Sequence, residues 1–404
     1  MTADRPSTLR ALGLVMLPIA LFLERGVYYQ FRAAFHFRAM DAGADFKEIG
    51  AVMALGVWVS IAGYVIGGLL SLVRGQLAIS VGLACALLGY LLMAVAPGGW
   101  AAAEFLTRFA SGCTMLGFYA AIAGVGANFG QRMAGVALLQ IAANVGGFVG
   151  PLGATASRIS PWLAYVGLFP VVLAMLLAAA DWWMANGWER THRPTEPPMD
   201  WPHGLSVAGI AILAGVLSAP VDYFASGALF DALGKSGVSS GLFVVATLVS
   251  VAGALIAGLA LTLAGLIAPR SMQPAPMVGA ALLCTGLGGG IGVAGSALGV
   301  VLALWVATFF GGLGSTVLSI MLLALVGSAF SRRWVGLGLL AYFSATRGVA
   351  AIFYAVGSLG SDFGIVVGGL SAGLALLLGV VALILSKPIG GWLVKEPGVE
   401  PAAA

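Results

Sequence analysis

Charge is scarce in this chain. Of its 404 residues, 19 are Lys or Arg and 15 are Asp or Glu, so 8% are charged while 60% are hydrophobic. A soluble domain of this length is excluded, because so little polar surface cannot cover it. Cysteine and histidine are scarcer still, at three each. Cys85, Cys113 and Cys284 lie in apolar segments without metal-ligand spacing and read as small packing residues. His36, His192 and His203 have no Cys or carboxylate partner at metal spacing. There is no Gly-Lys-Ser/Thr phosphate loop to couple ATP hydrolysis. The expectation is therefore a chain that is not an enzyme and holds neither metal nor cofactor. The first hydrophobic segment lacks a small-residue cleavage site and carries charge, so it reads as a mature span rather than a signal peptide.

What the chain has instead is apolar length and glycine. Mean hydropathy is +1.04, and the 60 Gly suit closely packed membrane helices. Apolar stretches of about 20 residues predict twelve membrane spans: 9–36, 46–73, 77–97, 100–129, 134–156, 162–185, 204–230, 238–265, 275–296, 298–327, 334–357 and 362–386. One long polar interruption, 186–203, holds Glu189, Arg190, Arg193, Glu196 and Asp200 with four prolines. It divides the chain six and six. The fold class expected is an all-α membrane protein of two six-helix bundles, 1–185 and 204–404, joined by a cytoplasmic linker at 186–203.

Basic residues set the orientation. With the N-terminus inside, the inner face carries Arg5, Arg10, Arg74, Arg132, Arg190, Arg193, Arg270, Arg332, Arg333, Lys387 and Lys395. The outer face carries only Arg38, Lys47, Arg158 and Lys235. Both termini are thus expected in the cytoplasm, in a multi-pass plasma-membrane protein. The pI near 9.1 is topological and implies no nucleic acid.

The first span contains Glu24-Arg25-Gly26-Val27-Tyr28-Tyr29-Gln30-Phe31-Arg32. On a helical wheel Glu24, Arg25, Tyr28, Tyr29 and Arg32 fall within roughly 140°. Intramembrane charges are costly and mark function, so this face is expected to line a watery cavity. A buried ion pair that only fixes packing is the alternative. The other intramembrane charges are Arg108, Asp222 and Arg347, with Glu104 and Asp231 placed at the membrane interface. That leaves Glu24 and Asp222 against four arginines, an excess of about +2 that suits an anionic or carboxylate ligand. Asp222 either pairs with Arg32 as an extracellular gate or caps a break after Pro220. Glu24 either carries a proton or stays a fixed counter-ion. Tyr119, Gln140, Asn144, Trp305, Tyr342 and Tyr354 are candidate wall residues.

The span-one run resembles the Glu-x-x-Glu-Arg-Phe-x-Tyr-Tyr-Gly-x-Arg motif of the proton-coupled oligopeptide transporters, within the major facilitator superfamily. Glu24, Arg25, Tyr28, Tyr29 and Arg32 stand in register. Gly67-Gly68-Leu69-Leu70-Ser71 leading to Arg74-Gly75-Gln76 is similar to the family's loop after span two, with Ser71 where Asp is usual. Arg132-Met133-Ala134-Gly135 and Asn144-Val145-Gly146-Gly147-Phe148 match its span-five spacing. The resemblance covers roughly residues 12–155. It implies a secondary transporter of a small peptide or peptide-like solute, monomeric, in a lipid bilayer, driven by protons. Three departures stand out: Leu21 replaces the motif's first Glu, Gly117 occupies the place of a span-four Lys, and span ten has no Glu. Arg108 and Arg347 are then extra charges available to an anion. A second resemblance, Arg108-Phe109-Ala110-Ser111-Gly112 with Gly146-x-x-x-Gly150-Pro151, points to drug–proton antiporters that export amphipathic compounds. A membrane sensor or scaffold is the remaining class, and it would not need cavity charges.

Overall fold

The computed structural model describes residues 5–123, 128–159, 168–191, 199–235, 240–269, 271–298, 300–357 and 361–394. The described residues form thirteen α-helices. These are α1 (Arg5–Asp41), α2 (Phe46–Val73), α3 (Gly75–Val95), α4 (Trp100–Ala123), α5 (Phe129–Ile159) and α6 (Leu168–Thr191). They continue with α7 (Trp201–Lys235), α8 (Ser240–Ile267), α9 (Pro274–Leu298), α10 (Val301–Ala329), α11 (Val335–Gly357), α12 (Ser361–Ile384) and the short α13 (Ser386–Leu393). Each predicted apolar stretch coincides with one of the first twelve, within six residues at either end. Among the described residues, eight helices are long and apolar enough to cross a membrane. The polar interruption is partly helical: α6 runs on to Thr191 and α7 starts at Trp201, while 192–198 lie outside the described residues.

Helix is the expected element here, since hydrocarbon offers backbone groups no partner but their own segment. The helix ends are cut by local chemistry. Asp45 caps α2, accepting from the Glu48 amide at 2.7 Å while the Glu48 side chain accepts from the Asp45 amide at 3.1 Å. Gly43, with φ of +88°, makes the preceding turn. Many large apolar side chains remain exposed, among them Trp58, Leu69, Trp183, Leu259 and Leu370. That surface fits lipid, and the chain is an integral multi-pass membrane protein.

The chain divides into two compact units. Unit 1 is Met1–Val125, Leu138–Pro198 and Ser331–Ser344; unit 2 is Gly126–Ala137, Met199–Phe330 and Ala345–Ala404. The first turns of α5 thus group with unit 2, and those of α11 with unit 1. In unit 1, α1 packs on α4 and α6, while α3 packs on α4 and α6 and α2 packs on α4. In unit 2, α7 packs on α10 and α12, while α9 packs on α10 and α12 and α8 packs on α10. The scheme is the same with each helix moved on by six.

Both units close their α2–α4 or α8–α10 seam with the same small residues. A Cβ at Gly63 would lie 2.3 Å from the Phe109 carbonyl oxygen, and one at Gly112 would lie 2.3 Å from that of Ser60. In unit 2 a Cβ at Gly253 would lie 2.6 Å from the Phe309 oxygen, and one at Gly312 would lie 2.4 Å from that of Ser250. Only glycine allows backbones this close. The repeat is visible as Ser60-x-x-Gly63 with Phe109-x-x-Gly112, and again as Ser250-x-x-Gly253 with Phe309-x-x-Gly312.

Candidate functional site in unit 1

The polar run of α1 turns its first half inward. Glu24 is 1% exposed and Arg25 5%. The Arg25 guanidinium donates from Nε and Nη2 to the two oxygens of Glu24, a bidentate pair. Its Nη1 donates to Ser111 Oγ of α4 at 3.1 Å, and the guanidinium lies 4.5 Å from the Tyr28 ring centroid. Thr114 Oγ1 stands 3.4 Å from Glu24 Oε1 and also donates to the Ala110 carbonyl at 2.9 Å. Both oxygens of Glu24 are therefore engaged.

A second pair lies along α4. Arg108 Nε donates to Glu104 Oε1 at 2.7 Å. The two are 9% and 1% exposed. Spacing of four residues stacks them on one helix face, and Ser111 extends that face by another turn. From α2, Gly56 sits over the pair: a Cβ there would come 3.2 Å from Arg108 Cγ and 3.5 Å from Glu104 Oε1. Glu104 was expected at the membrane interface; its carboxylate is enclosed by protein. Counting Glu104 with the buried charges lowers the excess of about +2 by one, and Arg25 and Arg108 each have a carboxylate partner. The i,i+4 spacing of Glu104 and Arg108 was in the sequence; the direction of that face was not.

The other half of the α1 run is more open. Tyr29 is 39% exposed and Arg32 half-buried. The Tyr29 ring lies against α5, where a Cβ at Gly147 would be 3.1 Å from it. One turn before Gly147, Asn144 Oδ1 accepts from Gln140 Nε2 at 3.3 Å, and Gln140 Oε1 accepts from Tyr119 at 2.7 Å. Tyr29, Asn144, Gln140 and Tyr119 thus belong to one polar region on α1, α4 and α5.

Arg347 lies on α11 in unit 2 and is exposed. Asp222 and Asp231 lie on α7 with side chains outside the described residues, as does that of Tyr354, so the Arg32–Asp222 pair falls outside what is described. Tyr342 is buried edge-on to Phe343, a packing contact. Leu21, in place of the motif's first Glu, is fully buried. Gly117, in place of the family's Lys, faces α3 so closely that a Cβ would lie 2.8 Å from the Ile79 amide nitrogen. No lysine side chain fits that seam.

Sequence reasoning missed three contributors. Ser111 and Thr114 were unremarkable hydroxyls until α4 was placed. Asp181 on α6, 7% exposed, accepts from Gln76 Nε2 of α3 at 3.3 Å. Its isolation in an apolar span was the available signal. Among the described residues no group of three or more His, Cys, Asp or Glu could hold a metal.

No family model matches the chain, and no curated protein matches it by sequence. Solved structures do match in fold. One is the human organic anion transporter MFSD10 (TETRAN), with TM-score 0.63 and 14% identity over 93% of this chain and 99% of that one. Another is a bacterial homologue of the iron transporter ferroportin in an outward-facing state, with TM-score 0.65 and 14% identity over 92% and 99%. A third is a mutant of the peptide transporter POT in complex with alafosfalin, with TM-score 0.58 and 18% identity over 95% and 96%. The chain has the major facilitator fold. These identities carry the fold alone, and activity must be argued from the site.

Proposed function

We propose that the protein is a secondary transporter of twelve membrane spans, with bundles at 1–185 and 204–404 and both termini in the cytoplasm. It moves a small carboxylate-bearing solute, peptide or peptide-like, by alternating access, with protons as the coupling ion. The observation that carries this reading is the polar interior of unit 1 in a fold shared with transporters. Buried Arg–carboxylate pairs cost free energy in lipid and add nothing that packing needs. Arg32 is the cation that engages the solute carboxylate, since Arg25 and Arg108 are held by Glu24 and Glu104. Tyr29, Asn144 and Gln140 supply adjacent hydrogen bonds. Arg32 with Asp222 remains the proposed outer gate, with Arg347 a second anion contact from unit 2.

The closure of both arginines by carboxylates favours one second reading, export of an amphipathic compound needing no strong anion site. Uptake into proteoliposomes under an imposed pH gradient separates the two. Radiolabelled di- and tripeptides, organic anions and lipophilic cations are each offered. The proposal expects carboxylate-bearing compounds to accumulate and Arg32→Ala to abolish that accumulation. Movement of lipophilic cations alone, unaffected by Arg32→Ala, overturns it.

A further inference from the structure

Of the four buried polar atoms of unit 1 that have no hydrogen-bond partner among the described residues, two belong to ionisable side chains. They are Glu104 Oε2 and the Tyr90 hydroxyl of α3. Their residues are 1% and 7% exposed. Tyr90 stands within electrostatic reach of Glu104, Glu24, Arg25 and Tyr28, and its ring packs on Phe31 of α1 at 5.3 Å. A buried carboxylate oxygen without a donor is costly, and orphaned buried groups in a folded protein call for an account.

Glu24 and Glu104 differ in a way that bears on proton carriage. Glu24 gives both oxygens to Arg25. Glu104 gives Oε1 to Arg108 and leaves Oε2 free for a proton. The internal repeat sharpens this. The seam that places Arg108 beside Phe109 recurs in unit 2 beside Phe309, where the counterparts of Glu104 and Arg108 are Leu304 and Thr308. The seam therefore forms without a charge pair, and the pair in unit 1 is not required for packing.

We propose that Glu104 is the proton-carrying carboxyl of this transporter, taking its proton at Oε2. In the loading step an O–H bond forms at Glu104 Oε2 and an O–H bond of a hydronium breaks, leaving water. The Glu104–Arg108 pair then passes from neutral to +1. The charged and titratable groups around the site are Arg108 on α4, Glu24, Arg25 and Tyr28 on α1, and Tyr90 on α3. From α2 the site meets Gly56. Protonation thus loosens the hold of Glu104 on Arg108, through which proton loading reaches an anionic solute.

The inference rests on the proton-coupled reading, and its test does not depend on transport. Infrared difference spectra of the full chain in nanodiscs, recorded on acidification, show the C=O stretch of a carboxylic acid as it forms. The band should contain a component present in the wild type and in Glu24→Gln, missing in Glu104→Gln, and moved but present in Glu104→Asp. A Glu104→Gln spectrum with no component missing, or a component lost only in Glu24→Gln, overturns the proposal. A Glu104-dependent band in a protein that moves no solute leaves this inference standing and removes the transport reading instead. Should Glu104→Gln fail to fold, Glu104→Asp decides: an unmoved band is contrary to the proposal.

Discussion

The two units pack alike and are filled differently. Each uses one central helix, α4 or α10, against which neighbours close on glycine at backbone distance. Unit 1 buries Glu24, Arg25, Glu104, Arg108 and Asp181. Among the described residues of unit 2, the buried polar groups are the hydroxyls of Ser218, Thr262, Thr285 and Thr316. The same framework therefore stands with or without interior charge. In lipid, where apolar burial between helices gives little drive, close approach of small residues holds the helices of each unit to one another. The charges of unit 1 are an addition to that framework, made against a desolvation cost.

Removing one charge of a pair should separate the units most. Arg25→Ala leaves Glu24 buried without its cation, at a cost of about 3–5 kcal/mol, read as a lower midpoint of thermal unfolding in detergent. Unit 2 offers no described position where a single truncation has a comparable electrostatic cost. A wild-type midpoint in Arg25→Ala would mean that water already reaches this pair.

Next come the seams, where the units should behave alike. Gly112→Val and Gly312→Val both force side chains against a carbonyl of the neighbouring helix, and each should cost about 3 kcal/mol. Chemical denaturation of the two variants checks this. A large loss in only one of them would show that the units do not share the packing described.

A graft tests the comparison directly. Glu104→Leu with Arg108→Thr gives unit 1 the residues of unit 2 at this seam. Stability should be unchanged or raised by about 1 kcal/mol or more, since apolar replacement of a buried pair is often neutral or stabilising. Proton-driven accumulation in proteoliposomes should vanish. Unfolding of the double variant would mean that the pair has become structural.

The smallest contrast concerns hydroxyls. Thr114→Val loses the contact to Glu24 and should cost about 1 kcal/mol. Thr285→Val should be near neutral, because the buried Thr285 Oγ1 has no partner among the described residues. Paired thermal shifts measured in one detergent decide it.

Much of this was legible in the chain. Hydropathy located each helix, because the bilayer demands a continuous apolar stretch and breaks show as polar or Pro-rich gaps. The run from Glu24 to Arg32 advertised itself, since charge in such a stretch is rare. The paired repeat, Ser60 and Gly63 with Phe109 and Gly112, then Ser250 and Gly253 with Phe309 and Gly312, was also present. It is short and split between helices, so it became visible only once the seams were known.

By itself the sequence determined an all-helical membrane chain, the places of its helices and the identity of its few interior charges. Length, hydropathy and the cost of charge in hydrocarbon are properties of consecutive residues. Only the tertiary structure decided that Glu104 is enclosed with Arg108, that Arg25 turns to Glu24 and Ser111, that Gly117 has no room for a longer side chain, and that the first turns of α5 group with unit 2. Each of those depends on which face of one helix meets which face of another. Backbone approach at glycine sets that choice, and the spacing along one helix does not encode it.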